Sequence, residues 1–247
     1  MKDISIIIAT YNASSTLEKC LNSILSQKDD NVELLVIDGN SNDNSLDIID
    51  KYRSDIDYFV TEPDNGIYDA WNKGISNASG KWIMFVGADD ELLDDAIRKY
   101  RKYLFSISDI DSYDYICATN YYVDDKGSIL KCIGKEPSWE KMKCYMSAAH
   151  VGSLHNKENL FADVGLYDLS FSICADYELL LRKRDHLRYL FVPDTIAKMK
   201  AGGMSMSIKA LLETYQIRKK HGTINPIFNC CLLIKSFILY KLYKYHK

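Results

Sequence analysis

The feature that most constrains this chain is the alternation in its first ninety residues. Ile4–Thr10 is an unbroken apolar run rich in β-branched residues, the pattern of a strand buried on both faces. Val32–Asp38 repeats it, Tyr58–Thr61 is a shorter version, and Trp82–Val86 a fourth. Helical patterns lie between. Leu17, Leu21, Ile24 and Leu25 recur at helix spacing behind Ser15-x-x-Glu18, which reads as a capping box. A short helix to about Tyr52 follows the polar loop Gly39–Asn44, and Tyr68–Asn77 reads as another. Such alternation predicts a parallel sheet joined by right-handed crossovers, with helices on both faces. With 247 residues, 47% hydrophobic and 26% charged, the chain has enough apolar material for that core. Disordered, collagen-like and disulfide-stapled classes are excluded.

The second half is less regular. Tyr115–Tyr122 and Ser128–Cys132 flank Asp124-Asp125-Lys126-Gly127 and read as a hairpin. A helix from Asp176 to Arg184, a strand Tyr189–Val192 and two C-terminal helices complete the pattern. These later elements are expected to build a second wall over the strand ends, where ligands of open α/β sheets bind.

Those ends carry the chemistry. The first strand ends in Thr10-Tyr11-Asn12, the second in Asp38-Gly39-Asn40-Ser41, and the fourth in Gly87-Ala88-Asp89-Asp90. Asp, Asn and Ser also make ordinary turns and caps after strands, but three such segments deliver hydroxyl, amide and carboxylate groups to one edge. Adjacent Asp89 and Asp90 repel unless a cation sits between them. Oxygen ligands of this kind suit Mg²⁺ or Mn²⁺ held by few carboxylates plus substrate phosphates. A G-x-G-x-x-G motif is missing, and Gly74–Lys81 is one residue too long for a P-loop.

Ser5–Asn12, Asp38-Gly39-x-Ser41-x-Asp43, the run Glu62–Ile75 and Ala88-Asp89-Asp90 together resemble the family 2 glycosyltransferases of the GT-A fold, and most of all the branch that builds bacterial O-antigen and colanic-acid-type polysaccharides. The likeness covers roughly residues 3–207. It implies an α/β fold with a Rossmann-like, mostly parallel sheet, divided into a nucleotide-sugar half (1–105) and an acceptor-side half (106–207), followed by a helical tail (208–247). It also implies an inverting, metal-dependent transfer of one sugar from a nucleotide-diphosphate donor, usually UDP-linked, to a polyprenyl-diphosphate-linked saccharide. By position, Thr10, Tyr11 and Asn12 would line the nucleotide pocket and Asp38 would accept from the base. Asp69 and Asn72 would face the donor, and Asp89 and Asp90 would hold the metal. Gly87 stands where the family commonly has Asp or Asn.

Inverting transfer needs a carboxylate to take the acceptor hydroxyl's proton. The resemblance assigns Asp176 that part, with Ala175 in place of a first acid; a helix cap is its plainer use. Glu178 falls on a different face. His150 and Trp139 are placed on the acceptor side, although such residues are as often structural. Gly202-Gly203-Met204-Ser205 matches a loop that would close over the diphosphate, through Gly203 and Ser205. The rival readings are a nucleotide- or glycan-binding module with weakened catalysis, and a sugar-phosphate nucleotidyltransferase, which needs a glycine-rich basic loop that Thr10–Leu17 lacks.

The net charge of −3 hides an asymmetry: residues 209–247 carry +7, with Glu213 their one acid, and the rest −10. Thirteen residues, Ile227–Leu239, are mostly apolar but too few to span a bilayer, so with the following tyrosines and lysines they suit a helix lying in the interface of the inner membrane leaflet. Nucleic acid is not expected as a partner. The seven cysteines form no C-x-x-C pair, and the N-terminus lacks a signal-peptide pattern. A cytoplasmic, peripherally membrane-associated enzyme is expected.

Overall fold

Alternate residues of one strand part the core in two. The computed structural model describes residues 2–245; His246 and Lys247 of the basic tail lie outside the described residues, as do the side chains of Tyr243, Lys244 and Tyr245. The first half runs β1 (Ile4–Thr10), α1 (Leu17–Leu25), β2 (Val32–Asp38), α2 (Ser45–Lys51), β3 (Tyr58–Thr61), α3 (Ile67–Asn77), β4 (Trp82–Gly87), β5 (Glu91–Leu92) and α4 (Ala96–Ser106). Then come β6 (Tyr115–Val123), β7 (Ile129–Ile133), α5 (Trp139–Met142), β8 (Leu154–Asn156), α6 (Ala162–Val164), α7 (Ala175–Arg182), β9 (Tyr189–Lys200), α8 (Ile208–His221) and α9 (Pro226–Tyr245). One sheet holds them in the order β3-β2-β1-β4-β8-β6-β9-β5, with β7 paired to β6. β1 to β4 are mutually parallel where they pair, whereas β8 is antiparallel to both its neighbours. Ile6 and Ile8 pack with Leu17, Leu21 and Ile24 of α1 on one face. Ile7 packs on the other with Trp71 and Ile75 of α3 and Leu179 of α7. Period-two side-chain alternation in a strand requires this division.

Three details depart from the sequence reading. The capping box does not form: α1 starts at Leu17 without a side-chain cap, and Glu18 instead pairs with Lys51 and accepts from the Tyr52 hydroxyl at 3.1 Å. The entrance to α1 is fastened across the loops, where the amides of Ala13 and Ser14 donate to Ser45 Oγ and Asp43 Oδ2. α4 went unread because four of its residues, Arg98, Lys99, Arg101 and Lys102, are basic; only Ala96, Ile97 and Tyr100 are buried. β9 runs eight residues past its expected end. It passes Pro193, which a central strand would not tolerate, because the β6 register shifts beside it.

α8 is part of the fold and not an appendage: Ala210, Glu213, Ile217 and Arg218 are buried. α9 joins it through Asn229, whose Oδ1 accepts from Arg218 Nε at 2.6 Å.

Candidate active site

The sheet register places Thr10 beside Asp38, Asp38 beside Thr61, and Ala9 beside Gly87. The carboxyl ends of four strands therefore form one continuous row. Asp38, fully buried, accepts from Ser41 N (2.9 Å), Ser41 Oγ (2.5 Å) and Thr61 Oγ1 (2.7 Å). Ser41 Oγ in turn accepts from Asn12 N at 2.8 Å, and Asn12 Oδ1 from Asn42 N at 2.9 Å. Asn12 (φ 49°) and Asn40 (φ 64°) both adopt left-handed backbone, which asparagine tolerates better than most residues. Two stapled turns thus wall a cleft of about 490 Å³ lined by Tyr11, Gly39, Asn40, Pro63, Asp64 and Gly66. A hollow of about 240 Å³ continues it past Thr10, Ile67 and Ala70. Asp64 packs on Gly39 so closely that a Cβ there would lie 2.6 Å from its carboxylate. The buried Thr10 hydroxyl has no hydrogen-bond partner, which leaves it free for a ligand in that hollow.

α3 opens at this cleft. Ile67 and Ala70 line the hollow, while Tyr68 between them turns inward. Its hydroxyl lies 2.6 Å from the Ile173 carbonyl and 3.0 Å from Asp176 Oδ1, sharing one proton between two acceptors. Asp176 stands in the first turn of α7. Burial pushes its carboxyl up to about 6, against the opposing pull of the Tyr177 amide and the Tyr68 hydroxyl. A carboxylate that titrates there is well suited to accept a proton near neutral pH.

At the end of β4, Asp89 is exposed and Asp90 buried. Asp90 Oδ1 accepts from Lys200 N at 3.1 Å, and burial, with Asp89 beside it, raises its carboxyl to about 7. Gly87 leaves open space beside the pair. A Cβ there would come within 2.8 Å of Asp90 Oδ2 and 3.0 Å of Asp89 Oδ1. The space above Gly87 is a cradle bounded by two carboxylates, a fit for a hard divalent cation that draws its other ligands from phosphate and water. Among the described residues, no group of three or more His, Cys, Asp or Glu is gathered for a metal. Directly after Lys200 comes the exposed loop with Gly202 (φ 94°) and Gly203, moored where the Gly202 amide donates to the Tyr122 hydroxyl.

The family model for glycosyl transferase family 2 matches residues 5–141, more than half the chain. The chain belongs to glycosyl transferase family 2. A relative, the "PGL/p-HBAD biosynthesis glycosyltransferase" of Mycobacterium tuberculosis, is 29% identical over 185 residues, 72% of this chain and 68% of that protein. "Glycosyltransferase GlyA" of Streptococcus pneumoniae is also 29% identical, over 66% of this chain but 26% of its own length. Among solved structures, S. aureus TarS 1–349 in complex with UDP superposes with a TM-score of 0.70 at 16% identity, covering 96% of this chain and 71% of that one. The mannosyltransferase PcManGT from Pyrobaculum calidifontis, in complex with GDP-Man and Mn²⁺, gives 0.65 at 15%, covering 95% and 69%. The fold they share is the GT-A-like α/β arrangement.

In this glycosyltransferase, Tyr11, 62% exposed, lines both the cleft and the hollow and Thr10 lines the hollow, whereas Asn12 lines neither and fastens the Ser41–Asn42 turn. Asp69 is turned back on its own loop, where Oδ2 accepts from Asn65 N (2.9 Å) and Asn65 Nδ2 (3.2 Å). Asn72 clamps the Tyr167 backbone from both sides, its Oδ1 accepting from Tyr167 N at 2.9 Å and its Nδ2 donating to Tyr167 O at 3.0 Å. Its amide serves the acceptor half, not the cleft. His150 lies between Phe85 and Trp71, and burial holds its ring down to about 3, so it is neutral. Trp139 packs at the other end of α7, against Leu180 and Leu181 in a crevice of about 40 Å³, away from the base. Ser205 and Gly203 are exposed in their loop. Three residues escaped the sequence reading. Asp64 and Tyr68 lay inside the motif run Glu62–Ile75 without a distinguishing pattern, and Glu213 was visible only as the single acid of a basic tail.

Proposed function

We propose that the chain moves one sugar, with inversion, from a nucleotide-diphosphate donor, UDP-linked, to a hydroxyl of a lipid-linked saccharide in bacterial surface polysaccharide assembly of the O-antigen or capsule type. The observation that carries this reading is the double duty of α3: Ile67 and Ala70 wall the donor hollow while Tyr68, between them, holds Asp176. One turn of α3 thus touches both the donor hollow and the base. The UDP complex of TarS and the GDP-Man and Mn²⁺ complex of PcManGT support a nucleotide-sugar donor.

In this account the nucleoside occupies the cleft between Tyr11, Asn40 and Asp64, with the Thr10 hydroxyl supplying a donor or acceptor. Asp38 acts indirectly, by holding the turn through Ser41. The acceptor hydroxyl approaches from the α7 side, Asp176 takes its proton, the oxygen attacks the anomeric carbon, and the nucleoside diphosphate leaves. Asp89 and Asp90 would hold Mg²⁺ or Mn²⁺, which when bound offsets charge on the leaving diphosphate. The Gly202-Gly203-Met204-Ser205 loop, beside Asp90, brings backbone amides and a hydroxyl toward the same phosphates.

α9 suits a membrane surface. No helix among the described residues is long and apolar enough to cross a bilayer. Ile227, Ile234, Ile238 and Leu242 are exposed and fall on one stripe at 100° per residue, with Lys235 and Lys241 flanking it on either side. An apolar stripe edged by lysines fits an anionic interface, which would place the enzyme peripherally on the inner leaflet beside a polyprenyl-diphosphate-linked acceptor.

Calorimetric titration with UDP and GDP tests the donor side. UDP is expected to bind in Mn²⁺ and to weaken at least about tenfold in EDTA, as loss of a cation that would offset phosphate charge requires. Equal binding in EDTA would remove the metal from the account, and preference for GDP would replace the nucleotide.

A further inference from the structure

The one acidic residue in the basic C-terminal segment is buried, and it points at the segment that leads into the base. Glu213, on α8, accepts four hydrogen bonds from three consecutive residues. Oε1 takes those of Ser172 N (3.1 Å) and Ser172 Oγ (3.0 Å). Oε2 takes those of Ile173 N and Cys174 N, both 2.9 Å. Helix α7 begins at the next residue, and its N-cap, Cys174, offers no side-chain cap of its own. Successive amides that point one way at a helix start form an anion cradle. Here the anion is a carboxylate about 40 residues further along the chain.

The loop it grips bears on the base by two routes. Ile173, whose amide Glu213 holds, presents its carbonyl to the Tyr68 hydroxyl, and that hydroxyl reaches Asp176. Asp176 itself follows Cys174 by two residues on the backbone that Glu213 anchors. We infer that Glu213 is a positioning residue for the catalytic base: without touching substrate, it fixes residues 172–174, and through them both the start of α7 and the Tyr68 contact that orients Asp176. The inference rests on reading Asp176 as the base. A second consequence is electrostatic, because Glu213 is a negative neighbour of Asp176 and favours its protonated form. The other titratable groups near Asp176 are Tyr68 of α3, Tyr115 of β6, Tyr167 and Cys174. Glu213 is the carboxyl among them.

The test uses the full chain with ¹³C-labelled aspartate carboxyls, the Asp176 signal being assigned by its loss in D176N. In E213Q the midpoint of the Asp176 titration should fall by about half a unit or more, since one like charge is removed. Turnover should fall about tenfold or more, with donor KM changed less than about twofold, as misplacing a base predicts. E213D, which keeps the charge on a shorter arm, should retain the titration midpoint and lose turnover; it also serves if E213Q folds poorly. An unchanged midpoint and unchanged turnover in E213Q, with only a lower Tm, would overturn the inference and leave Glu213 as scaffold. Full activity in D176N would instead overturn the base assignment. Glu213 would then fall as a positioning residue of the base, while the titration arm would still report whether the two carboxyls interact.

Discussion

Two carboxylates on one short helix are driven in opposite directions by what surrounds them. Burial raises Asp176 to about 6, whereas Glu178, though burial pushes it up as well, is brought down to about 2 by His221, Arg182 and Lys220. A base must be unprotonated to act, so sugar transfer should rise with pH through about 6 and level off above it. Stability should run the other way: a folded-state value above the unfolded one means that protonation favours the fold between about 6 and 3.8. Asp176→Asn should therefore cost transfer about a hundredfold or more while stabilising the protein by about 1–2 kcal/mol at pH 8. Paired rate and denaturation curves check both signs, and a variant that loses activity and stability together would contradict the account. Gly87 supplies a second prediction at this scale. Gly87→Ala places a methyl group against the two carboxylates, and Asp90, held at Lys200, cannot easily yield. Mn²⁺-dependent UDP affinity should drop by about tenfold, with little change for UDP binding in EDTA; calorimetry in both buffers reads the difference.

At the scale of elements, α7 is the part that α8 controls. Glu178, fully buried, meets Arg182 of its own helix at 2.5 Å, and Lys220 and His221 of α8 at 2.8 and 2.7 Å. Removing the charge takes this partner from Arg182, Lys220 and His221, of which Lys220 keeps Asp168. Glu178→Gln should destabilise by about 3–5 kcal/mol in urea unfolding at pH 7. Because the folded value lies below the ordinary 4.5, the contribution is present above that value and lost as pH falls toward 2, so wild type and variant should converge in acid. Convergence at neutral pH instead would show the ion cluster contributes nothing. Strands of four or more residues with uniform burial were legible in the sequence, because a continuous apolar run between turn residues leaves few other structures. β5 and β8, two and three residues long, carry no period to read. α4 and the long β9 were hidden by a charged surface and by Pro193. The candidate site divides on the same line. Strand-end residues such as Thr10 and Asp38 announce themselves by position, and the sheet register places them side by side. Tyr68 and Glu213 act across 108 and about 40 residues of chain, a relation that only the folded packing creates.

The whole molecule is a glycosyltransferase core whose last helix stands apart in chemistry. α9 is held by the buried Arg218, which donates to Asn229 Oδ1 and to the Cys144 carbonyl, both at 2.6 Å, and its outer stripe is apolar and lysine-edged. Replacing Ile234, Ile238 and Leu242 with serine leaves that anchor intact. The variant should lose co-sedimentation with anionic vesicles by about tenfold or more while keeping turnover on soluble acceptors. Unchanged sedimentation would make the stripe an interface for protein and not for lipid. The charge asymmetry seen in the sequence thus acquires two parts: acids line the strand ends and α7, and the described lysines of the tail face outward, with Glu213 turned in. The central claim, that this cleft and Asp176 together perform sugar transfer, is tested most directly by following nucleoside diphosphate release from a panel of UDP- and GDP-sugars in Mn²⁺, for wild type and D176N. Release from at least one UDP-sugar by the wild type, cut about a hundredfold or more in D176N with UDP binding preserved, is the predicted result. Release at equal rates by both proteins, or none from any donor, would contradict it.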